Sequence, residues 1–209
     1  MAQPPDESEA IVVATRNEHK LRELRELIPG ARLEPLPDSV RLPPEVGESF
    51  AANALIKARG AHAATGRPAV ADDSGIEAVA LGGAPGIRSA RYAGEGASDE
   101  QNLAKLLREV GEAGDERRVA YVCAIAHLDA EGQERVFEAR CEGTLAERPR
   151  GGGGFGYDPA FVPDDVADGR TMAELSPAEK NAISHRGRAA RLLAAHLAAA
   201  RDVAQEVEG

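Results

Sequence analysis

Apolar and polar positions along the chain fall into blocks that switch between two periods. Ile11-Val12-Val13-Ala14 is a short apolar run and reads as a buried strand. Leu21, Leu24, Leu27 and Ile28 then recur at helical spacing, predicting a helix over roughly 17–28 that Pro29-Gly30 stops. Residues 31–47 are Pro-rich, with one strand expected around Arg32–Leu36. A second helix fits 49–64, with Phe50, Ala54 and Ile56 supplying its buried face. Ala69-Val70-Ala71 reads as the end of another buried strand. The Gly-rich connection behind it is hard for a helix or long strand to occupy throughout. Ser98-Asp-Glu-Gln101 is a capping box opening a helix with Leu103, Leu106, Leu107 and Val110 on its apolar face. Residues 118–129 and 134–143 read as two long strands of a hairpin, which brings Cys123 opposite Ala139–Cys141. Ser176-Pro-Ala-Glu179 is a second capping box, opening a helical region that extends to about residue 206 with a break expected near Gly187. Early strand–helix alternation followed by a hairpin implies an α/β fold, a long mixed central sheet flanked by helices. Residues 10–209 are expected to form a single domain behind a disordered tail, 1–9, and a site drawn from the whole chain fits one cleft between two lobes.

Composition narrows the function classes. The 209 residues are 43% hydrophobic but only 3% aromatic, so aliphatic side chains and alanine must fill the core. A net charge of −10 argues against a nucleic-acid-binding surface, which is basic. No segment approaches the ~20 apolar residues of a membrane-spanning helix, and the acidic start lacks the pattern of a signal peptide. Cys123 and Cys141 are too few for a disulfide framework and read as reduced core residues of a cytoplasmic protein.

Lysine is scarce. There are four, Lys20, Lys57, Lys105 and Lys180, against a background in which arginine carries the other positive charge. Lys105 lies on an ordinary amphipathic helix and is expected to be solvated. The other three sit in polar clusters. Thr15 and Asn17 occupy a strand-to-helix turn with Lys20 one turn in, which suits a phosphate, since the N–H groups of a helix start attract anions. A helix cap with a surface lysine accounts for them equally. Asn53 and Lys57 share one helix face as i, i+4 neighbours, which a solvated pair also explains. Asp72 and Asp73 follow an apolar run, where ionised carboxylates are costly unless paired. They read either as a helix cap or as oxygen ligands for a hard divalent cation, one holding metal and one orienting or deprotonating water. Four glycines, 151–154, run into Phe155, Gly156, Tyr157 and Asp158, where glycine permits close backbone approach and an aromatic ring can stack on a base. Lys180, His185 and Arg186 stand in or beside a helix start, suited to a purine edge or to ordinary structural roles.

Taken together, "ATRNEHKLREL", "ESFAANALIKA", "ADDSGIEAVALGGAPGIRSARYAG", "GGFGYDPAFVP" and "AELSPAEKNAISHRG" resemble the inosine triphosphate pyrophosphatase family over roughly residues 11–195. The resemblance implies a Mg²⁺-dependent homodimer that hydrolyses ITP, dITP and XTP to the monophosphate and pyrophosphate, cleansing the nucleotide pool. It aligns Thr15, Arg16, Asn17, Glu18, His19 and Lys20 with a triphosphate-binding segment and Lys57 with a further phosphate ligand. Asp73 aligns with the catalytic acid that also contacts metal, Glu45 with a metal-associated glutamate and Ser74 with a substrate-contacting serine. Phe155, Gly156, Tyr157, Asp158, Lys180, His185 and Arg186 align with the nucleoside-binding set. Arg16 stands where the family often has a small or different residue. Two further readings are a Mg²⁺-dependent phosphatase releasing orthophosphate and a nucleotide-binding module without turnover. The chain lacks an Asp-x-Asp nucleophile motif after a strand, which disfavours the former.

Overall fold

The computed structural model describes residues 10–208, the side chains of 203–208 excepted; the expected tail, 1–9, lies outside the described residues. The strands are β1 (Ile11–Val13), β2 (Leu33–Pro35), β3 (Ala69–Ala78), β4 (Arg118–Leu128), β5 (Glu134–Leu145) and β6 (Phe161–Pro163). The helices are α1 (Glu18–Leu27), α2 (Phe50–Thr65), α3 (Asp99–Ala113), α4 (Pro177–Ile183) and α5 (His185–Glu208). The six strands form one mixed sheet in the order β2-β1-β3-β4-β5-β6. β1 pairs parallel with both β2 and β3, and β5 pairs antiparallel with β6. Bonds near both ends of the β4–β5 hairpin, Asp129 N–H to the Gln133 carbonyl and Leu145 N–H to the Arg117 carbonyl, fix one register that sets Cys123 across from Ala139.

Two compact units divide the chain. One comprises Met1–Asp73, Ala124–Glu138 and Ala189–Gly209, and the other Ser74–Cys123 and Ala139–Arg188. In the first, Val12, Val13, Leu24, Ile28, Val70, Ile125 and Leu193 are buried. In the second, Ile76, Leu106, Val119, Tyr121, Cys141, Leu145, Phe161 and Met172 pack into one cluster. β4 is buried at every position from Val119 to Leu128, as a strand covered on both faces must be. Its partner β5 mixes exposed and buried positions. Cys123 and Cys141 are both buried, and burial pushes the Cys141 thiol up to about 12.

Local chemistry accounts for the helix ends. Asn17, Ser49, Ser98 and Ser176 cap α1, α2, α3 and α4, and the capping boxes Ser98/Gln101 and Ser176/Glu179 both close. Gly66 ends α2 in the left-handed conformation at φ 65°.

Three expectations need correction. The strand that opens at Ala69 does not end at Ala71: it continues through both aspartates to Ala78, because each buried carboxylate meets an ammonium group. The C-terminal break falls at Ser184, not Gly187. Ser184 is extended (φ −64°, ψ 153°), and its hydroxyl accepts the Gly187 N–H, so it ends α4 and caps α5. Gly187 serves close approach instead, since a Cβ there would sit 2.0 Å from the Asn181 carbonyl oxygen. The buried stripe of α2 is Phe50, Asn53, Ala54, Lys57, Ala58 and Ala61, with Ile56 only half-buried.

Candidate active site

The order β2-β1-β3 places β1 where successive crossovers leave in opposite directions. In parallel sheets ligands bind outside the C-terminal ends of strands at such a reversal. Thr15–Lys20 leaves the end of β1 there. Thr15 Oγ1 accepts the Asn17 N–H, and Asn17 Oδ1 accepts the N–H groups of His19 and Lys20. Asn17 is therefore the helix cap, and the Lys20 side chain, beyond the backbone N–H that the cap accepts, turns to an acid. Lys20 Nζ lies 3.2 Å from Asp72 Oδ1, and the Asp72 side chain is fully buried.

Successive side chains on a strand point to opposite faces, so Asp72 and Asp73 reach different sides of β3. Lys20 from α1 meets the first, and Lys57 from α2 meets the second at 3.0 Å. Lys57 Nζ also lies 3.1 Å from Glu45 Oε1, so two carboxylates converge on one ammonium. Asn53 builds the rest. Its Nδ2 donates to Asp73 Oδ2 at 3.2 Å, and its Oδ1 accepts the Gly47 N–H at 2.8 Å, which fastens the loop bearing Glu45. A Cβ on Gly47 would meet Asn53 Oδ1 at 2.8 Å. Burial raises the Asp73 carboxyl above the ordinary carboxylate value, opposed by Lys57 and Lys20. Burial pulls the Lys57 ammonium down, but Asp73, Asp72 and Glu45 together leave it raised.

The second group lies in the other unit. Ser74, next after Asp73 on β3, accepts from Arg186 at 2.9 Å, and Arg186 is 2% exposed. Asp158, 3% exposed, is the hub of the Gly-rich segment. Its Oδ2 accepts from Lys180 Nζ at 2.8 Å and the Phe155 N–H at 2.9 Å, and its Oδ1 from the Tyr121 hydroxyl at 3.1 Å. Gly154, at φ 70°, makes this possible, since a Cβ there would lie 2.0 Å from Asp158 Oδ2. Lys180 Nζ stands 4.7 Å, and the Arg186 guanidinium carbon 5.6 Å, from the centre of the Phe155 ring. The buried His185 ring stacks on Tyr121.

Several expected site residues are engaged elsewhere. Arg16 donates to the carbonyls of Leu36, Pro37 and Val40, tying down the loop after β2. Glu18 is exposed in the first turn of α1, and exposed His19 meets Arg22 at 3.3 Å. The Gly156 N–H goes to Asp99, and buried Tyr157 donates to the Ser89 carbonyl. Lys105 is half-buried rather than freely solvated: it donates to the Tyr92 carbonyl at 2.7 Å and lies 4.3 Å from that ring's centre. Sequence reasoning noticed Asn53 without giving it a site role and passed over Tyr121. The legible signals were an asparagine within the apolar stripe of α2 and a single phenol in a mostly aliphatic strand.

Comparison with known proteins identifies the family. A dITP/XTP pyrophosphatase of Mycolicibacterium paratuberculosis is 52% identical over 191 residues, covering 88% of this chain and 93% of the relative. One from Symbiobacterium thermophilum is 52% identical over 183 residues, covering 86% and 90%. Among solved structures, a HAM1 protein from Coxiella burnetii matches with a TM-score of 0.82 at 42% identity, covering 90% of this chain and 98% of that one. A nucleoside-triphosphatase, dITP/XTP pyrophosphatase, from Mycobacterium abscessus matches with a TM-score of 0.71 at 47% identity, covering 88% and 98%. The Ham1 family pattern matches residues 11–196, a span that includes Lys20, Asp73, Asp158 and Arg186, and the chain belongs to the Ham1 family.

Proposed function

We propose that this chain hydrolyses purine nucleoside triphosphates with a 6-oxo base, ITP, dITP and XTP, to the monophosphate and pyrophosphate. The observation that carries the reading is the partition of buried charge at one point of β3. Asp73 belongs to a carboxylate–ammonium cluster suited to phosphates, and Ser74 to a group of buried donors suited to a base. The names of the curated relatives support the same chemistry.

In this reading Lys20 and Lys57 neutralise phosphate charge through charge-assisted contacts. Asp73 takes a proton from the water that attacks the α-phosphorus. The α–β anhydride bond breaks, and pyrophosphate leaves. Asp73 and Glu45 would hold Mg²⁺. Among the described residues there is no group of three or more His, Cys, Asp or Glu placed to hold a metal alone. That is compatible with Mg²⁺, which uses one or two carboxylates together with substrate phosphates and water. Two carboxylates sharing one lysine form a donor set of that kind. When bound, Mg²⁺ supplies positive charge to the phosphate oxygens. Lys180, His185 and Arg186 offer hydrogen-bond donors to an oxygen at C6, where adenine presents an amino group. Phe155 stacks on the base. Homodimerisation enters the proposal from the family resemblance, and cytoplasmic residence from the reading of Cys123 and Cys141 as reduced core residues. No described helix is long and apolar enough to cross a membrane.

A panel of nucleoside triphosphates with Mg²⁺, with both products identified, tests this. Equal amounts of monophosphate and pyrophosphate from ITP, dITP and XTP, with little turnover of ATP, are expected. Orthophosphate as the only inorganic product, or tight binding without turnover, would overturn the reading in favour of one of the two alternatives.

A further inference from the structure

We propose that Tyr121 is a positioning residue for base selection, orienting the Asp158 carboxylate and the His185 imidazole together. The inference rests on the reading above, in which Lys180, His185 and Arg186 face the base. Tyr121 lies on β4 and is 6% exposed. Its ring is nearly parallel to that of His185, with centroids 4.5 Å apart and planes 7° from each other. Phe161 backs the same ring, with centroids 4.5 Å apart and planes inclined at 37°. Its hydroxyl donates to Asp158 Oδ1 at 3.1 Å.

The geometry explains why a phenol stands here. The rest of the buried strand is almost wholly aliphatic, and an apolar ring would fill the volume without placing a hydroxyl in the core. The hydroxyl meets a carboxylate whose other oxygen already holds Lys180 and the Phe155 N–H. A carboxylate held at one oxygen can rotate about its Cβ–Cγ bond, whereas one held at both cannot. Fixing Asp158 fixes the Lys180 ammonium that donates to it at 2.8 Å. Burial raises the phenol well above its ordinary value, so it remains a neutral donor at working pH. The same ring holds the plane of the imidazole by stacking.

The test compares Tyr121→Phe, Tyr121→Leu, Asp158→Asn and Lys180→Ala for kcat and KM on ITP and ATP. Tyr121→Phe keeps the stacked ring and removes only the hydroxyl. It is expected to lower kcat/KM for ITP about ten-fold, chiefly through KM, and to narrow the ITP-to-ATP ratio by a similar factor. Tyr121→Leu should lose more; should it fail to fold, the phenylalanine variant carries the test. Adding Tyr121→Phe to Asp158→Asn should narrow the ratio no further, because the hydroxyl acts through that carboxylate. If Asp158→Asn and Lys180→Ala narrow the ratio and Tyr121→Phe does not, Tyr121 is core packing and the base reading stands. An equal loss on both nucleotides, with a fall in Tm, likewise overturns the positioning role. A ratio unchanged in all the variants removes the base reading, and this inference with it.

Discussion

At the scale of single residues, the site is governed by the cost of burying charge. Asp73 and Lys57 are both 7% exposed and 3.0 Å apart, and neither would stay ionised alone in that setting. Asp73→Asn keeps the shape but loses the proton acceptor. Turnover on ITP is expected to fall by ~10²–10⁴ or more, since general-base help is of that order. Steady-state kinetics at saturating Mg²⁺ measure this, and near-normal turnover would remove Asp73 from the chemistry. Asp72→Asn should cost less, because Asp72 acts by holding Lys20. Lys57→Ala leaves Asp73 and Glu45 without their shared cation. It should lower kcat/KM on every substrate by a similar factor and destabilise the protein by roughly 3–5 kcal/mol, as breaking a buried pair does. Lys105→Ala serves as the control. It should leave turnover largely intact and cost a smaller amount of stability through the lost Tyr92 contacts, which urea titration would show.

At the scale of elements, α2 illustrates how a helix can conceal a site. Its buried stripe reads Phe, Asn, Ala, Lys, Ala, Ala, so two polar residues occupy positions that periodicity assigns to a core. They are buried because Asp73 lies beneath them and pairs with both. The α4–α5 junction is the second case. α4 carries Lys180, α5 begins with His185 and Arg186, and the two helices are set by Ser184 as cap and Gly187 as the point of close approach. Gly187→Ala would drive a methyl group to 2.0 Å from the Asn181 carbonyl. Overpacking of this kind costs roughly 1–3 kcal/mol, and the displaced junction carries all three proposed base contacts. A lowered Tm together with a raised KM for ITP is expected. A variant whose KM is unchanged would show that the junction tolerates the shift without moving the donors.

At the scale of the whole molecule, acid stability has an identifiable source. His127, near the end of β4, is 4% exposed, and burial, with His196 beside it, pulls its imidazole down to about 4. The His196 ring stands edge-on at 5.6 Å and is itself held below its ordinary value, chiefly by burial. Both therefore favour the neutral form in the fold. Above about 6.5, the ordinary histidine value, neither folded nor unfolded chain gains a proton at His127, and its contribution to stability is complete. As pH falls below that value the unfolded chain binds a proton that the folded chain refuses, so the His127 contribution declines until about pH 4 and then levels. The loss should reach about 3 kcal/mol at most. Urea unfolding at intervals from pH 7 to pH 4 measures it, and His127→Gln should flatten the slope. An unchanged slope in that variant would assign the acid sensitivity to other groups.

Much of this was present in one dimension. Helix starts were legible where a serine or asparagine cap acts within one turn, as at Ser98, Ser176 and Asn17; the Ser49 cap was seen only in the structure. The hairpin and its register were legible because a short turn fixes which residues face each other. The residue types of the candidate site stood out because scarce lysines and adjacent acids contrast with an arginine-rich, apolar chain. What the chain could not disclose were partnerships between residues far apart in sequence. That Arg16 is taken up by three carbonyls around residues 36–40, that Tyr157 faces the Ser89 carbonyl, and that Tyr121 joins Asp158 to His185 depends on side-chain direction and distance. Even the extent of β3 was settled in three dimensions. Two buried carboxylates end a strand unless each finds a cation, and only the placement of α1 and α2 brings Lys20 and Lys57 to them.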